Sequence, residues 1–97
     1  MITEDMIRRG LASGIVEIVE SPHQDGAVCQ IGENWFYFVE YNSVNQEMTV
    51  DELKSTYNTD ELAHLIWTAI DALRHETIFV DDTDYFETVL KEAGIGG

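Results

Sequence analysis

Few side chains in this sequence have the types and spacing that catalysis requires. Cys29, the single cysteine, falls within a predicted strand of a chain whose formal net charge is −14. Since a nucleophilic cysteine needs a positive environment and a nearby base, this position favours a buried structural thiol. The sequence contains no phosphate-binding glycine loop, nucleophile elbow or paired-cysteine zinc pattern. We therefore expect no catalytic residue, no cofactor and no enzymatic activity, and an undetected enzyme ranks third among the functions considered.

Metal binding is suggested at two places, and neither has a complete set of ligands. Asp71 and His75 lie one helical turn apart, but two ligands do not define a site, and an exposed carboxylate–imidazole pair explains them. Residues 81–87 are as rich in acids as a calcium-binding loop but lack the glycine that such a loop needs at its sixth position. Acids near a helix N-terminus explain this stretch. We expect no metal site.

The charge of the chain is its most unusual property. Nineteen Asp and Glu residues oppose five Lys and Arg residues. Residues 10–53 contain eight acids and no Lys or Arg, and residues 75–90 contain five more acids and again no Lys or Arg. We expect nine of these acids to form one surface band: Glu17, Glu20, Glu33, Glu40, Asp51, Asp81, Asp82, Asp84 and Glu87.

This charge limits the classes of partner. A negative field repels nucleic-acid phosphates and anionic lipids, so we expect neither direct nucleic-acid binding nor membrane binding. The same field attracts a protein that has a basic groove. Acidity that serves only to keep a small protein in solution is the alternative.

The length and the N-terminal sequence bear on the number of domains and on where the protein is located. Ninety-seven residues form one domain, which we place at 1–97 as a single acidic α+β domain. The first six residues are acidic and no apolar run follows them, and no stretch approaches the roughly 18 apolar residues that a membrane span needs. A single cysteine excludes an internal disulfide framework. We expect a cytoplasmic protein.

The pattern of apolar residues and caps predicts the order α-β-β-β-α-α-α. A helix begins after Thr3 and ends at Gly14, and a capping box at Thr49 opens a short helix that ends near residues 57–58. The remaining elements are strands over 15–20, 27–31 and 35–41, a helix over 60–75 capped by Thr59, extended chain over 77–80 and a helix over 84–93. We expect a three-stranded antiparallel meander with the helices mainly on one face.

The connection between the second and third strands sets their register. Gly32 and Glu33 suit a two-residue type II′ turn, which has glycine first. That turn pairs Ile31 with Asn34, Cys29 with Phe36, and Ala27 with Phe38, and it places these six side chains on one face. We expect this face to lie in the core beneath the helices.

The opposite face of the third strand is also rich in aromatic residues. It carries Trp35, Tyr37, Val39 and Tyr41, together with Val28 of the second strand. Because an antiparallel sheet usually leaves one face polar, a second aromatic face indicates an interaction patch for a protein partner or a homodimer. The alternative is that the N-terminal helix covers this face.

Two resemblances extend this interpretation. The stretch 31–38, with the preceding turn at Asp25 and Gly26, resembles small uncharacterised proteins of bacterial mobile elements and prophages. The order of elements and the acidity are similar to those of some type II-A anti-CRISPR proteins, which act as DNA mimics; this likeness carries over no motif residue. The first resemblance implies a mobile-element or phage origin and brings no known activity with it, and the second implies a nucleic-acid mimic. Together with the lack of catalytic motifs and the aromatic face, we expect a small non-enzymatic interaction module encoded by a mobile element or phage, with an anti-CRISPR or anti-restriction nucleic-acid mimic as the alternative.

Overall fold

The computed structural model describes residues 1–23, 26–39, 48–76 and 80–96, and of residues 80–82 the backbone alone. Three antiparallel strands and four helices follow one another in the predicted order, which confirms the α+β fold. The elements are α1 (Glu4–Ser13), β1 (Val16–Glu20), β2 (Ala27–Ile31), β3 (Asn34–Phe36), α2 (Val50–Thr56), α3 (Thr59–Arg74) and α4 (Val80–Glu92). No helix in these ranges is long and apolar enough to cross a membrane.

The register of the β2–β3 hairpin is as predicted. Cys29 pairs with Phe36, and Ile31 pairs with Asn34. Gly32 has a φ of 65° whereas Glu33 has no positive φ, which is the combination that a type II′ turn requires. The turn therefore fixes which side chains of β3 face the helices.

The third strand is shorter than predicted. β3 ends at Phe36, so the expected pair between Ala27 and Phe38 is absent from the ladder. Phe38 is nevertheless fully buried in the hydrophobic core. The chain after Phe36 thus leaves the β2–β3 ladder but stays in the core through Phe38. The rest of the predicted strand lies outside the described residues, apart from the buried Val39.

Helices α1 and α4 pack on the same face of the sheet. A Cβ placed on Gly10 of α1 would lie 2.5 Å from Val16 Cγ2, which shows how closely α1 approaches β1. On α4, the ring of Phe86 lies 5.2 Å from that of Phe36. Val16, Phe36 and Cys29 all belong to this face, as the register shows. The alternative in which the N-terminal helix covers the opposite face is therefore wrong.

Side-chain caps fix where the helices begin. Thr3 caps α1, and the predicted capping box joins Thr49 to Glu52 at the start of α2. The cap of α3 is Asn58 and not, as predicted, Thr59. Asn58 Oδ1 accepts the Glu61 N–H at 2.8 Å while the Glu61 carboxylate accepts the Asn58 N–H at 3.0 Å. The reciprocal pair with Glu61 explains why the helix begins one residue earlier.

Helix α4 begins four residues earlier than predicted, at Val80, so Val80 is helical and not extended. Residues 77–79, the rest of the predicted extended stretch, lie outside the described residues. The acids at 81, 82 and 84 thus lie in the first turns, where the helix dipole favours negative charge. At the other end, Gly94 has a φ of 83° and the Ile95 N–H donates to the Leu90 carbonyl at 2.9 Å, which confirms the predicted Schellman ending.

Candidate interaction surface

The sheet face that lies opposite to α1 and α4 is here called the open sheet face. Strand alternation places Glu17, Gln30 and Trp35 in one row across it, because Glu17 pairs with Gln30 and Gln30 with Trp35. Trp35 is 38% exposed, and apart from Met1 it is the one large hydrophobic side chain exposed among the described residues. The row therefore combines a carboxylate, an amide and an accessible indole.

Tyr37 is held across the open sheet face by a hydrogen bond. Its hydroxyl lies 2.9 Å from the hydroxyl of Ser21. Tyr37 follows β3 and Ser21 follows β1, with β2 between those strands, so the tyrosine side chain must pass over β2. Val28 of β2 is fully buried, although the register places it on the face opposite to α1 and α4. The hydrogen bond to Ser21 thus fixes the Tyr37 side chain on the open sheet face.

The indole of Trp35 stands between two other rings. It meets Tyr37 edge-on, with ring centroids 5.4 Å apart and planes at 89°, and it lies 5.7 Å from the His23 ring. Such edge-to-face pairs are favourable geometries for aromatic side chains. His23, Trp35 and Tyr37 are here called the aromatic surface. Since neighbouring rings already restrain the indole, it loses little conformational freedom when a ligand binds.

The structure brings together some of the residues predicted for the interaction patch and not others. Trp35 and Tyr37 share the aromatic surface, whereas Val39 is 3% exposed and belongs to the hydrophobic core. Val39 follows the end of β3, where strand alternation no longer decides which way a side chain points. Tyr41 lies outside the described residues. Sequence reasoning missed His23, because a turn residue gives no signal of which ring it will meet.

The acids of the predicted band differ in their contacts. Glu17, Glu33 and Asp51 are exposed and form no ion pair with any described residue. Glu20 has a structural contact, since its Oε1 accepts the Val50 N–H at 3.0 Å at the start of α2. Glu40 lies outside the described residues, and of 81 and 82 only the backbone is described.

The two band members described on α4 lie near positive charge. Glu87 pairs with the Met1 amino group at 2.7 Å and with Lys91 at 2.9 Å, and hydrogen bonds from these two cations lower the pKa of the Glu87 carboxyl. Asp84 is exposed and shares a cavity of about 220 Å³ with Arg74. Glu87 is therefore compensated by two cations. Asp84 and Glu33 form no ion pair with a described residue, and neither does Glu17, which lines the cavity of about 600 Å³ beside β1 together with Lys54.

Four of the five basic side chains pair with acids of the helices. Arg8 and Arg9 both pair with Asp5, whose pKa they lower. The other two pairs are Arg74 with Asp71 at 2.7 Å and Lys91 with Glu87. Lys54, the fifth, forms no ion pair with a described residue; it lines a cavity of about 600 Å³ beside β1. Four of the chain's cations are therefore engaged on the helices, and the cavity that Lys54 lines is also lined by Glu17.

The residues considered for chemistry are widely separated. Cys29 is fully buried, and burial raises the pKa of its thiol. His75 Nε2 lies 3.9 Å from Asp71, which is closer to Arg74, while His64 Nδ1 lies 2.6 Å from Glu4 on the surface. Within the described ranges no three His, Cys, Asp or Glu side chains are arranged to hold a metal ion.

Comparison of the chain with protein families, curated proteins and solved structures finds no match. Among the described residues, the aromatic surface and its flanking carboxylates combine exposure, defined geometry and uncompensated charge. These are properties of a binding surface.

Proposed function

We propose that the protein is a small non-enzymatic interaction module that binds a partner protein through the open sheet face. The observation that carries the proposal is Trp35, an indole that is 38% exposed yet fixed edge-on by Tyr37 on a face that α1 and α4 leave uncovered. Tryptophan and tyrosine are enriched among the residues that contribute most to interface affinity. A rigid, partly exposed tryptophan is the kind of anchor that such interfaces use.

Charge decides the chemistry of the partner. Glu17 and Glu33 are exposed and without ion-pair partners among the described residues, and no Lys or Arg occurs from residue 10 to residue 53. A basic surface on the partner complements this field and accelerates association. A second copy of the chain, also at −14, is repelled at the same face. The occupant we propose is therefore a basic protein and not a homodimer.

A nucleic-acid mimic encoded by a mobile element or phage is the alternative proposal. The unpaired carboxylates of Glu17, Glu33 and Asp51 favour it, since a mimic presents acids where a DNA- or RNA-binding protein expects phosphates. The two proposals differ in the anchor. In a mimic the carboxylates supply most of the affinity for the partner, so the affinity should fall steeply with salt concentration. In the interaction module Trp35 supplies much of the affinity.

The test compares binding by two variants of the chain. A partner captured by the wild-type chain is purified, and its affinity is measured for the wild type, for Trp35→Ala and for Glu92→Gln over a range of salt concentrations. We expect Trp35→Ala to weaken binding at least about tenfold, as truncation of an interface anchor does. Glu92 is exposed at the end of α4, so its substitution removes one negative charge away from the sheet and leaves affinity unchanged.

Two outcomes of this experiment contradict the proposal. Equal affinity of Trp35→Ala and the wild type, with steep salt dependence in both, would favour the mimic. A captured partner without a basic surface would overturn the assigned partner chemistry. Trp35→Phe keeps a ring at the same position, so it separates loss of the anchor from disturbance of the fold; we expect it to retain part of the affinity.

A further inference from the structure

We infer that the aromatic surface binds an arginine side chain of the partner, with its guanidinium stacked on the Trp35 indole and Glu17 as counter-charge. This inference rests on the proposed function and names the chemical group that the open sheet face recognises. It concerns one row of side chains, Glu17, Gln30 and Trp35, and the ring of Tyr37 beside it.

The indole provides the first half of such a site. Tryptophan is the aromatic side chain that attracts cations most strongly over its ring face. Trp35 is accessible, and its contacts with Tyr37 and His23 hold it in place. A planar guanidinium stacks on such a ring, whereas the compact, strongly hydrated ammonium of lysine does so less well.

The carboxylate provides the second half. Glu17 lies two strands from Trp35 in the same row, so their backbones are about 10 Å apart at the usual strand spacing of about 4.8 Å. Both side chains point to the open sheet face, and Gln30 lies between them. An extended arginine can therefore lie over Gln30 and contact the ring and the carboxylate together, and its fork of donors matches a carboxylate.

The chain's own cations form no ion pair with Glu17 among the described residues. Arg8, Arg9, Arg74 and Lys91 form ion pairs on the helices. Lys54 of α2 lines the cavity beside β1 that Glu17 also lines, and no ion pair joins the two. Trp67 on α3 differs from Trp35, since that half-buried indole shares its cavity with the chain's own Arg74 and donates to the Ile2 carbonyl at 3.4 Å. Among the described residues the ring contacts of Trp35 are with Tyr37 and His23, so we assign the guanidinium over its ring to the partner.

The experiment uses three short peptides of alternating glycine and one variable residue: arginine, lysine or citrulline. The indole N–H signals of Trp35 and Trp67 are followed by NMR during titration of the full chain. We expect the arginine peptide to shift the Trp35 signal saturably and to leave the Trp67 signal in place. The lysine peptide should bind about threefold to tenfold more weakly, and the citrulline peptide, which is planar but uncharged, should not bind.

Matched variants separate the contribution of the ring from that of the carboxylate. Because Trp35→Ala and Trp35→Phe lack the Trp35 indole, binding to every variant is measured from the backbone amide signals of residues 17 and 30. Trp35→Phe should weaken binding of the arginine peptide less than Trp35→Ala does, because phenylalanine keeps a weaker cation-binding ring. Glu17→Gln should weaken it about twofold to fivefold, the range of an exposed ion pair, whereas Glu92→Gln, with the same change in net charge, should have no effect.

Equal binding of the arginine and lysine peptides, binding of the citrulline peptide, or an unchanged affinity in Trp35→Ala would overturn the inference. A further measurement distinguishes its failure from that of the proposed function. If the protein partner depends on Trp35 but tolerates replacement of its contacting arginines by lysine, the arginine site is wrong and the interaction module stands. If the partner does not depend on Trp35, the proposed function itself fails.

Discussion

Trp35 and Phe36 are neighbours in β3, yet their side chains have opposite surroundings. Phe36 faces the helices and packs on Phe86, with ring centroids 5.2 Å apart. Trp35 faces away from them and is 38% exposed, in contact with Tyr37 and His23. The covered face stabilises the fold through buried apolar area, and the open sheet face keeps a comparable aromatic side chain accessible. Exposure, rather than hydrophobicity, thus distinguishes the surface available for binding from the core.

The largest effect is expected on the covered face. Phe86 is 2% exposed and joins α4 to the sheet, so Phe86→Ala should lower the free energy of unfolding by about 3–5 kcal/mol. Trp35→Ala should lower it less, by about 1–3 kcal/mol, because more than a third of the side chain is in contact with water in the folded protein. Urea unfolding measures both values. Similar losses for the two variants would show that the open sheet face is part of the core.

The β2–β3 turn is the next most sensitive position. Gly32 has a φ of 65°, and a Cβ there would lie 2.6 Å from the hydroxyl of Tyr85 on α4. Gly32→Ala should therefore combine backbone strain of about 1–2 kcal/mol with an overpacking cost of about 1–3 kcal/mol. Gly14→Ala is the matched control, since Gly14 has a φ of 87° and open space around it. Equal costs would mean that α4 does not press on this turn.

The hydrogen bond across the open sheet face should have a smaller effect. Tyr37→Phe removes the contact with Ser21 and should lower the free energy of unfolding by about 0.5–1.5 kcal/mol. Tyr57→Phe serves as the control, because no hydrogen bond of the Tyr57 hydroxyl occurs among the described residues. Denaturant unfolding should separate the two variants. If the free energy of unfolding of Tyr37→Phe equals that of the wild type, the hydrogen bond to Ser21 does not stabilise the fold.

The smallest effect on stability is expected at Glu17. It has no ion-pair partner among the described residues, so Glu17→Gln should change the free energy of unfolding by less than about 0.5 kcal/mol while it weakens binding. Glu87→Gln removes contacts with two cations and should be destabilising by about 0.5–1.5 kcal/mol near neutral pH.

The effect of Glu87 should depend on pH. Because its pKa is lowered in the folded protein, the stabilisation is complete above the ordinary glutamate range and is lost as the pH falls through the lowered pKa. The difference between Glu87→Gln and the wild type should therefore disappear in acid, as thermal unfolding at several pH values can show. A difference that persists in acid would exclude the ion pairs as its cause.

Local signals predicted much of the fold. The order of elements and the pairing of Cys29 with Phe36 followed from caps, alternation and the glycine of the turn. The end of β3 at Phe36 was not predictable, because the burial of Phe38 depends on packing between distant elements. The start of α4 at Val80 was missed for a different reason, namely that apolar residues such as Ile78 and Phe79 also suit a strand.

The candidate surface was predicted only in part. Alternation around the turn predicted Trp35 and Tyr37 on one face, and their rings are in contact, 5.4 Å apart. The position of α1 on the other face, the bond between Tyr37 and Ser21 and the contact of His23 with Trp35 are tertiary contacts, which local patterns do not specify. The distribution of cations was visible in the sequence, but their pairing on the helices required the structure.

A map of NMR shift changes in the full chain, recorded as the proposed partner protein is added, tests whether the open sheet face is the binding surface. We expect the largest changes at Glu17, Gln30, Trp35 and Tyr37, with the indole of Trp67 unchanged as an internal control. Changes confined to the exposed surfaces of α3 and α4, with the Trp35 signal in place, would contradict it.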